Sequence, residues 1–305
     1  MFQPRSDTAR GLTAGVVAFA LWGVLPGYWK ALHWLNAGQI ICLRALLTVP
    51  VLLVVLAWRG RLAAVLSSLR NPAVAGLHAL TAALLAGNWI IFVWATHHQR
   101  IVEASLGYFL TPLANVAMGA ALLGERLRRW QWAAVGLASA GVAVQVAALG
   151  AVPWVAVGLC ATFAIYGLLR KQAALDSLAG LTVESLVAIP AATAWLWLSP
   201  PSRLAEGPWE WASVLAMGAV TAVPLLGFAT AARLLPLSVV GVLQFIAPSL
   251  QFLAGTVIYG EPVSGPRLAS FALIWMGLVL FTFDSWPKRT SRSAASENSR
   301  PASEA

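Results

Sequence analysis

Long apolar stretches alternate with short polar ones along almost the whole chain. An apolar helix of about 20 residues is long enough to cross the hydrocarbon core of a bilayer. Ten such stretches follow one another, and they predict ten transmembrane helices. The predicted spans lie near residues 11–30, 38–58, 73–97, 102–123, 130–147, 152–170, 178–198, 211–233, 237–260 and 266–286. A polar tail at 287–305, rich in Ser, Arg, Glu and Ala, is predicted to be disordered.

Composition agrees with this pattern. Of 305 residues, 59% are hydrophobic and 10% are charged, and the mean hydropathy is +0.77. These values predict an all-α polytopic membrane protein. Cys42 and Cys160 both lie in apolar spans, with no disulfide framework and no metal-ligand spacing around them. We therefore expect no metal and no cofactor.

The two halves of the chain resemble each other. When residues 92–141 are compared with the residues 136 positions later, ten pairs are identical, among them Pro112/Pro248, Gly124/Gly260 and Glu125/Glu261. This predicts two five-helix repeats, at 1–150 and 151–286. Because five is odd, the second repeat would be inverted relative to the first. Inverted repeats are common in secondary transporters, whose substrate site lies between the halves near the midplane.

Basic residues are distributed unevenly among the connections. If the N-terminus is cytoplasmic, fifteen Lys and Arg residues lie inside, four lie outside, and Arg44 lies within a span. The positive-inside rule then predicts cytoplasmic N- and C-termini. The net charge of +9 thus reflects membrane orientation, and no nucleic-acid partner is expected.

Several stretches resemble the RarD group of the EamA branch of the drug/metabolite transporter superfamily. They are 21–23, 28–30, 87–89, 92–95, 103–109, 124–126, 166–171, 221–226 and 271–275. The resemblance spans the chain except for its tail. It implies a ten-helix carrier of the bacterial inner (plasma) membrane that exports a small metabolite or drug.

Charged residues within spans need a reason, because each costs about 2.5–3.5 kcal/mol near a helix centre on insertion scales. Arg44 either reaches the interface or faces the cavity and pairs with an acid, for which Glu103 is the best candidate. Glu103 alternatively stabilises a helix N-terminus. Lys30 is a competing partner for Glu103, or else it serves as an interface anchor. Glu184 is interpreted as a proton-titrating or amine-binding group, or else as a structural partner of Arg170 or Lys171.

Uncharged polar and aromatic residues complete the predicted site. Asn88 bonds either a neighbouring helix or the substrate. Tyr108 and Gln244, related by the repeat, precede Pro112 and Pro248 by four residues, and both prolines are predicted to bend their helices. The predicted substrate-binding set is Trp22, Arg44, Asn88, Trp89, Tyr108, Tyr166 and Gln244, with Glu103, Glu184 and Lys30 as coupling or gating residues.

Together these features predict a secondary transporter that works by alternating access. The chain lacks a phosphate-binding glycine loop with a following Lys-Ser/Thr, so any coupling is expected to use ions, with protons favoured. It offers no nucleophile–base pair or paired acids at helical spacing, so no enzyme is expected. The expected partners are a small-molecule substrate and membrane lipid, and the protein is expected to be a monomer or homodimer. The alternative is a non-transporting membrane sensor or assembly protein.

Overall fold

The computed structural model describes residues 5–98, 100–149, 153–258 and 265–285, and the regular structure within these ranges is helical. The predicted tail lies outside them. The helices are α1 (Arg5–Ala31), α2 (Ala37–Trp58), α3 (Leu62–Ser68), α4 (Pro72–His97), α5 (Ile101–Leu122), α6 (Arg129–Leu149), α7 (Trp154–Gln172), α8 (Ser177–Leu198), α9 (Pro208–Leu234), α10 (Leu237–Gln244), α11 (Ile246–Leu253) and α12 (Gly265–Ser285). A π-helical turn, Ala254–Ile258, extends α11.

Every predicted span overlaps one of these helices, and the all-α polytopic fold is confirmed. In the described part of the chain, nine helical segments are long and apolar enough to cross a membrane, with α10, α11 and the π-helical turn forming one segment. The fifth predicted span, 130–147, corresponds to the 21-residue helix α6, which is not among these nine. Ten crossings therefore stay a prediction. The short helix α3, between two spans, was not predicted.

Small residues allow α6 to pack closely against α12. A side chain at Gly277 would meet the backbone oxygen of Ala134 at 2.7 Å, and one at Gly141 would meet that of Ser270 at 2.7 Å. In lipid, close helix approach of this kind replaces the hydrophobic driving force between helices. The pair therefore depends on the absence of side chains at Gly141 and Gly277.

Helix pairing is symmetric under exchange of the two halves. The predicted repeat matches α1 with α7, α2 with α8, α4 with α9, α5 with α10–α11 and α6 with α12. Exchanging the halves turns the contact α1–α9 into α7–α4, α2–α9 into α8–α4, and α5–α7 into the contact of α10 and α11 with α1, and all of these contacts are present. Three contacts are unchanged by the exchange: α6–α12, α2–α8 and α5–α10. This is the pattern expected from two related five-helix halves. The inverted orientation of the second half stays a prediction.

The two proline-containing helices of the repeat differ in shape. Helix α10 ends at Gln244 and α11 begins at Ile246, so the helix is interrupted three residues before Pro248. A proline ring clashes with the carbonyl four residues earlier, here that of Gln244, and supplies no N–H to bond it. Helix α5 is uninterrupted through Pro112. The break thus occurs at one of the two predicted bending positions, and bending at Pro112 stays a prediction.

A loop contact joins the halves between α7 and α8. Asp176 caps α8 by accepting hydrogen bonds from the N–H groups of Leu178 and Ala179, and it forms an ion pair with Arg61. Partial burial acts to raise the pKa of Asp176, but the hydrogen bonds from Ala179 and Arg61 outweigh it and hold the pKa below its usual value.

Candidate functional site

Glu184 lies at the centre of a buried polar cluster. Thr81 donates a 2.7 Å hydrogen bond to Oε1, which also lies 3.4 Å from Nδ1 of His78 and 3.3 Å from a guanidinium nitrogen of Arg170. Tyr166 donates to Oε2 at 3.2 Å. The donors come from α4 and α7, so this carboxylate on α8 binds both predicted halves. The contact with Arg170 is one of those weighed from sequence, and a proton-titrating or amine-binding role of Glu184 stays a prediction.

Packing leaves little freedom in this cluster. The side chains of Arg170 and Glu184 are 0% and 2% exposed. A Cβ at Gly180 would collide with the Arg170 guanidinium and lie 2.7 Å from Cε1 of His78. Removing one partner of a buried ion pair costs about 3–5 kcal/mol, because the other charge is left uncompensated. The absence of a side chain at Gly180 therefore makes room for the ion pair.

Two of the predicted aromatic residues belong to one cluster beside Glu184. Trp22 packs on Phe163 with ring centroids 6.1 Å apart, and Phe163 packs on Tyr166 at 5.7 Å. Phe228 contacts all three rings, and its centroid lies 5.9 Å from that of Tyr166 in a stacked arrangement. Helices α1, α7 and α9 thus meet at an aromatic centre that ends, through the Tyr166 hydroxyl, at the carboxylate.

A second group of predicted residues gathers around Arg44. Its guanidinium lies over the indole of Trp89, 3.3 Å from the ring centroid, and the residue is 8% exposed. Phe92 links Trp89 to Tyr108, with centroid distances of 6.1 and 6.2 Å. A cation–π contact contributes about 0.5–2 kcal/mol. It offsets only part of the insertion cost of the charge, about 2.5–3.5 kcal/mol near a helix centre.

The predicted polar residues outside these groups are held by neighbouring helices. Asn88 donates to the Leu159 carbonyl at 2.9 Å and to Thr162 Oγ1 at 2.8 Å, which is the neighbouring-helix alternative. Gln244 accepts a 2.5 Å hydrogen bond from Asn115, and both side chains are buried. Sequence reasoning missed Asn115, although an amide three residues after Pro112 within a span was the available signal.

Glu103 does not contact Arg44. It pairs with Arg100 at 2.7 Å and accepts a 2.8 Å hydrogen bond from the backbone N–H of Val155, at the start of α7. The Arg44–Glu103 pair weighed from sequence is therefore replaced, within the described residues, by a contact of Glu103 with the N-terminus of α7. The side chain of Lys30 lies outside the described part of the structure.

Another carboxylate joins the halves at the start of α10. Glu125 accepts hydrogen bonds from the N–H groups of Leu237 and Ser238, at 2.5 and 2.9 Å, and from the Ser238 hydroxyl at 2.6 Å. Glu125 thus satisfies free N–H groups in the first turn of α10, where a negative charge is stabilising. Its repeat counterpart, Glu261, lies outside the described residues.

Two cavities among the described residues are apolar. One, of about 10 Å³, lies between α5, α6, α10 and α12, and the other is an open groove of about 500 Å³ along α12. Neither is the polar pocket between the halves that the sequence predicts. Within the described residues, no group of three or more His, Cys, Asp or Glu side chains is placed to hold a metal ion.

The polytopic helical fold, with buried charges between its related halves, is that of a multi-pass membrane protein, and the comparisons show that it is a transporter. The model of the EamA-like transporter family matches residues 151–283. An uncharacterized transporter of Vibrio cholerae is 40% identical, over 93% of this chain and 95% of its own length. Protein RarD of Escherichia coli is 36% identical over 94% and 99%. A chloramphenicol-sensitive protein RarD of Pseudomonas aeruginosa is 33% identical over 91% and 95%.

The chain belongs to the EamA-like transporter family and is of the RarD type within the drug/metabolite transporter superfamily. A solved crystal structure with 23% sequence identity superposes with a TM-score of 0.72, covering 91% of this chain and 98% of the other, which shows the shared fold. The transporters among the relatives come from bacteria, so the protein is a multi-pass bacterial membrane protein.

Proposed function

We propose that this transporter exports a small metabolite or drug across the inner membrane by alternating access, coupled to protons through Glu184. The observation that carries the proposal is the pair of carboxylates held across the seam between the halves. Glu184 of the second half binds Thr81 and His78 of the first. Glu103 of the first half binds the N–H of Val155 in the second.

These two contacts fall on opposite sides of the membrane under the predicted orientation. Glu184 follows the first residue of α8 by seven positions, near the cytoplasmic side, and Glu103 lies in the first turn of α5, near the outer side. In alternating access one side opens while the other closes. Each carboxylate is then a gate contact that breaks in one half of the cycle.

Glu184 is suited to proton coupling because its partners change if the halves separate. Losing Thr81 and His78 would leave its carboxylate with Arg170 and Tyr166, both from its own half. A buried carboxylate titrates according to its hydrogen bonds and neighbouring charges. The hydrogen-bond partners of the Glu184 carboxylate would therefore differ between the closed and the open arrangement of the halves, and coupling requires such a difference.

Proteoliposomes containing a pH-sensitive dye test this mechanism. The protein is first screened by thermal shift against phenicols, amino acids, amines and nucleosides, since a ligand of the folded state raises the melting temperature. Uptake of the ligand found, with chloramphenicol as the initial probe, is then measured with and without a pH gradient. Glu184→Gln should abolish the gradient dependence. Unchanged uptake and unchanged pH dependence in both Glu184→Gln and Glu103→Gln would exclude the carboxylates from the mechanism.

A further inference from the structure

We infer that Arg44, Trp89 and Tyr108 form a recognition site for a carboxylate, so that the substrate is a small organic acid with one negative charge and an apolar body. The inference rests on the proposed transport function and names its substrate class. The three residues lie on α2, α4 and α5, and they are linked by the stacking of Arg44 on Trp89 and by Phe92, which contacts both rings.

The charge of Arg44 has no protein counter-ion among the described residues. Five other arginines there have a carboxylate oxygen within 4.0 Å, namely Arg61, Arg100, Arg128, Arg170 and Arg203. Arg44 has none, although it is 92% buried within a membrane span. The titratable groups that act on it electrostatically are Tyr108 and Cys42, and neither is an acid that is ionised at neutral pH. A buried cation of this kind is balanced when an anion binds beside it.

Two further donors in the same group lack acceptors. The indole Nε1 of Trp89 is buried and makes no hydrogen bond to a described residue. The Tyr108 side chain is 38% exposed, and its hydroxyl likewise bonds no described residue. Guanidinium and indole groups donate but do not accept, and a carboxylate offers about four acceptor positions. The cluster is therefore rich in donors and complementary to an acceptor.

The surroundings select a particular kind of anion. Among the described residues of the cluster, Arg44 supplies the single formal charge. Arg100, on the neighbouring loop, has its charge balanced by Glu103. One guanidinium matches the planar, bidentate geometry of one carboxylate. Phe92 and Tyr108 provide an aromatic wall beside it. An aromatic monocarboxylate fits this combination better than a phosphate or a dicarboxylate does.

Matched acid and amide pairs test the inference on the purified full chain. The probes are benzoate with benzamide, phenylacetate with phenylacetamide, and indole-3-acetate with indole-3-acetamide, each titrated by thermal shift and by calorimetry at neutral pH. We expect at least one acid to raise the melting temperature more than its amide does. Arg44→Gln should weaken binding of that acid by about tenfold or more and leave binding of any amide within about twofold. Arg44→Lys should give an intermediate loss, since it keeps the charge but not the bidentate geometry.

Arg267→Gln is the matched control, because Arg267 also lies near an aromatic ring, 5.7 Å from the centroid of Phe252, but on an exposed position of α12. It should leave acid binding unchanged. A panel in which no acid binds more tightly than its amide, or acid binding that persists in Arg44→Gln, overturns the inference. If amides or amines bind instead and uptake in proteoliposomes continues, the carboxylate inference is overturned and the proposed transport function stands. The melting temperature of each variant without ligand checks that it folds.

Discussion

The hydroxyl of Thr81 on α4 donates a 2.7 Å hydrogen bond to the carboxylate of Glu184 on α8, and both side chains are buried. This contact joins the first half of the chain to the second at a charged group. His78, one turn earlier on α4, approaches the same oxygen at 3.4 Å. Separation of α4 from α8 would therefore remove two partners from one carboxylate at once.

Thr81→Val should lower the free energy of unfolding by about 1.5–3 kcal/mol, because it removes a hydrogen bond to a charged group while keeping the side-chain volume. Unfolding of the detergent-solubilised protein by denaturant measures the change. Thr182→Val is the control: Thr182 is equally buried but bonds the carbonyl of Leu178 in its own helix. Its loss should be below about 1 kcal/mol. Equal losses in the two variants would contradict a special role for the contact with Glu184.

Gly180→Ala should destabilise the protein by about 1–3 kcal/mol, since the added methyl group would enter space filled by Arg170 and His78. Gly76→Ala on α4 is the matched control, because a Cβ there meets nothing within 4 Å. The control should gain up to about 1 kcal/mol from helix propensity. Thermal unfolding of both variants is the measurement. A neutral Gly180→Ala would mean that the Glu184 cluster is loosely packed.

Asn115 and Gln244 should show energetic coupling, because each is buried and their side chains share a 2.5 Å hydrogen bond between α5 and α10. Replacing either one with Leu leaves the other without a partner in an apolar setting. We expect the double variant to lose less stability than the sum of the single losses, with a coupling energy of about 0.5–3 kcal/mol. A double-mutant cycle measured by denaturant unfolding tests this, and strict additivity would refute the bond.

We expect the stabilising contribution of Asp176 to the folded protein to be lost in acid. Its pKa in the folded protein is lowered from the unfolded value of about 3.9, so its contribution is complete above about pH 4 and is lost as the pH falls through the folded pKa. The side chain is 36% exposed, and such pairs contribute about 0.2–1 kcal/mol after solvent screening. Asp176→Asn keeps the helix cap but loses the charge.

The difference in melting temperature between wild type and Asp176→Asn should therefore be positive at pH 7 and shrink towards zero at pH 3. High salt at pH 7 should also reduce it, because the pair with Arg61 is partly exposed to solvent. A difference that stays constant between pH 7 and pH 3 would show that the carboxylate acts only through the cap.

Much of the fold was predictable because lipid imposes a simple rule on the sequence. A span must be about 20 apolar residues long, and its backbone must bond within itself. Helices α2 and α8 therefore begin within one residue of their predicted positions, 38 and 178. The exception is α3, whose seven residues are too few for a span and were not predicted.

The partners of the charged residues were less predictable. Depth along a helix follows from counting residues, but rotation about the helix axis and contacts between distant helices do not. For this reason sequence reasoning could only weigh a pair of Arg44 with Glu103 against other roles, and the structure places Arg44 on Trp89 and Glu103 on Arg100. His78 and Thr81 were missed because their significance comes from Glu184, which is more than 100 residues away in sequence.

The interruption between α10 and α11 contrasts with the continuous helix α5, its counterpart in the predicted repeat. The molecule thus has an interrupted helix in one half and a continuous helix at the corresponding place in the other half. If the two halves exchanged these helix forms, the same fold would open to the opposite side of the membrane. A change in the side of the membrane to which the carrier opens would then require only that α5 and α10–α11 exchange their forms.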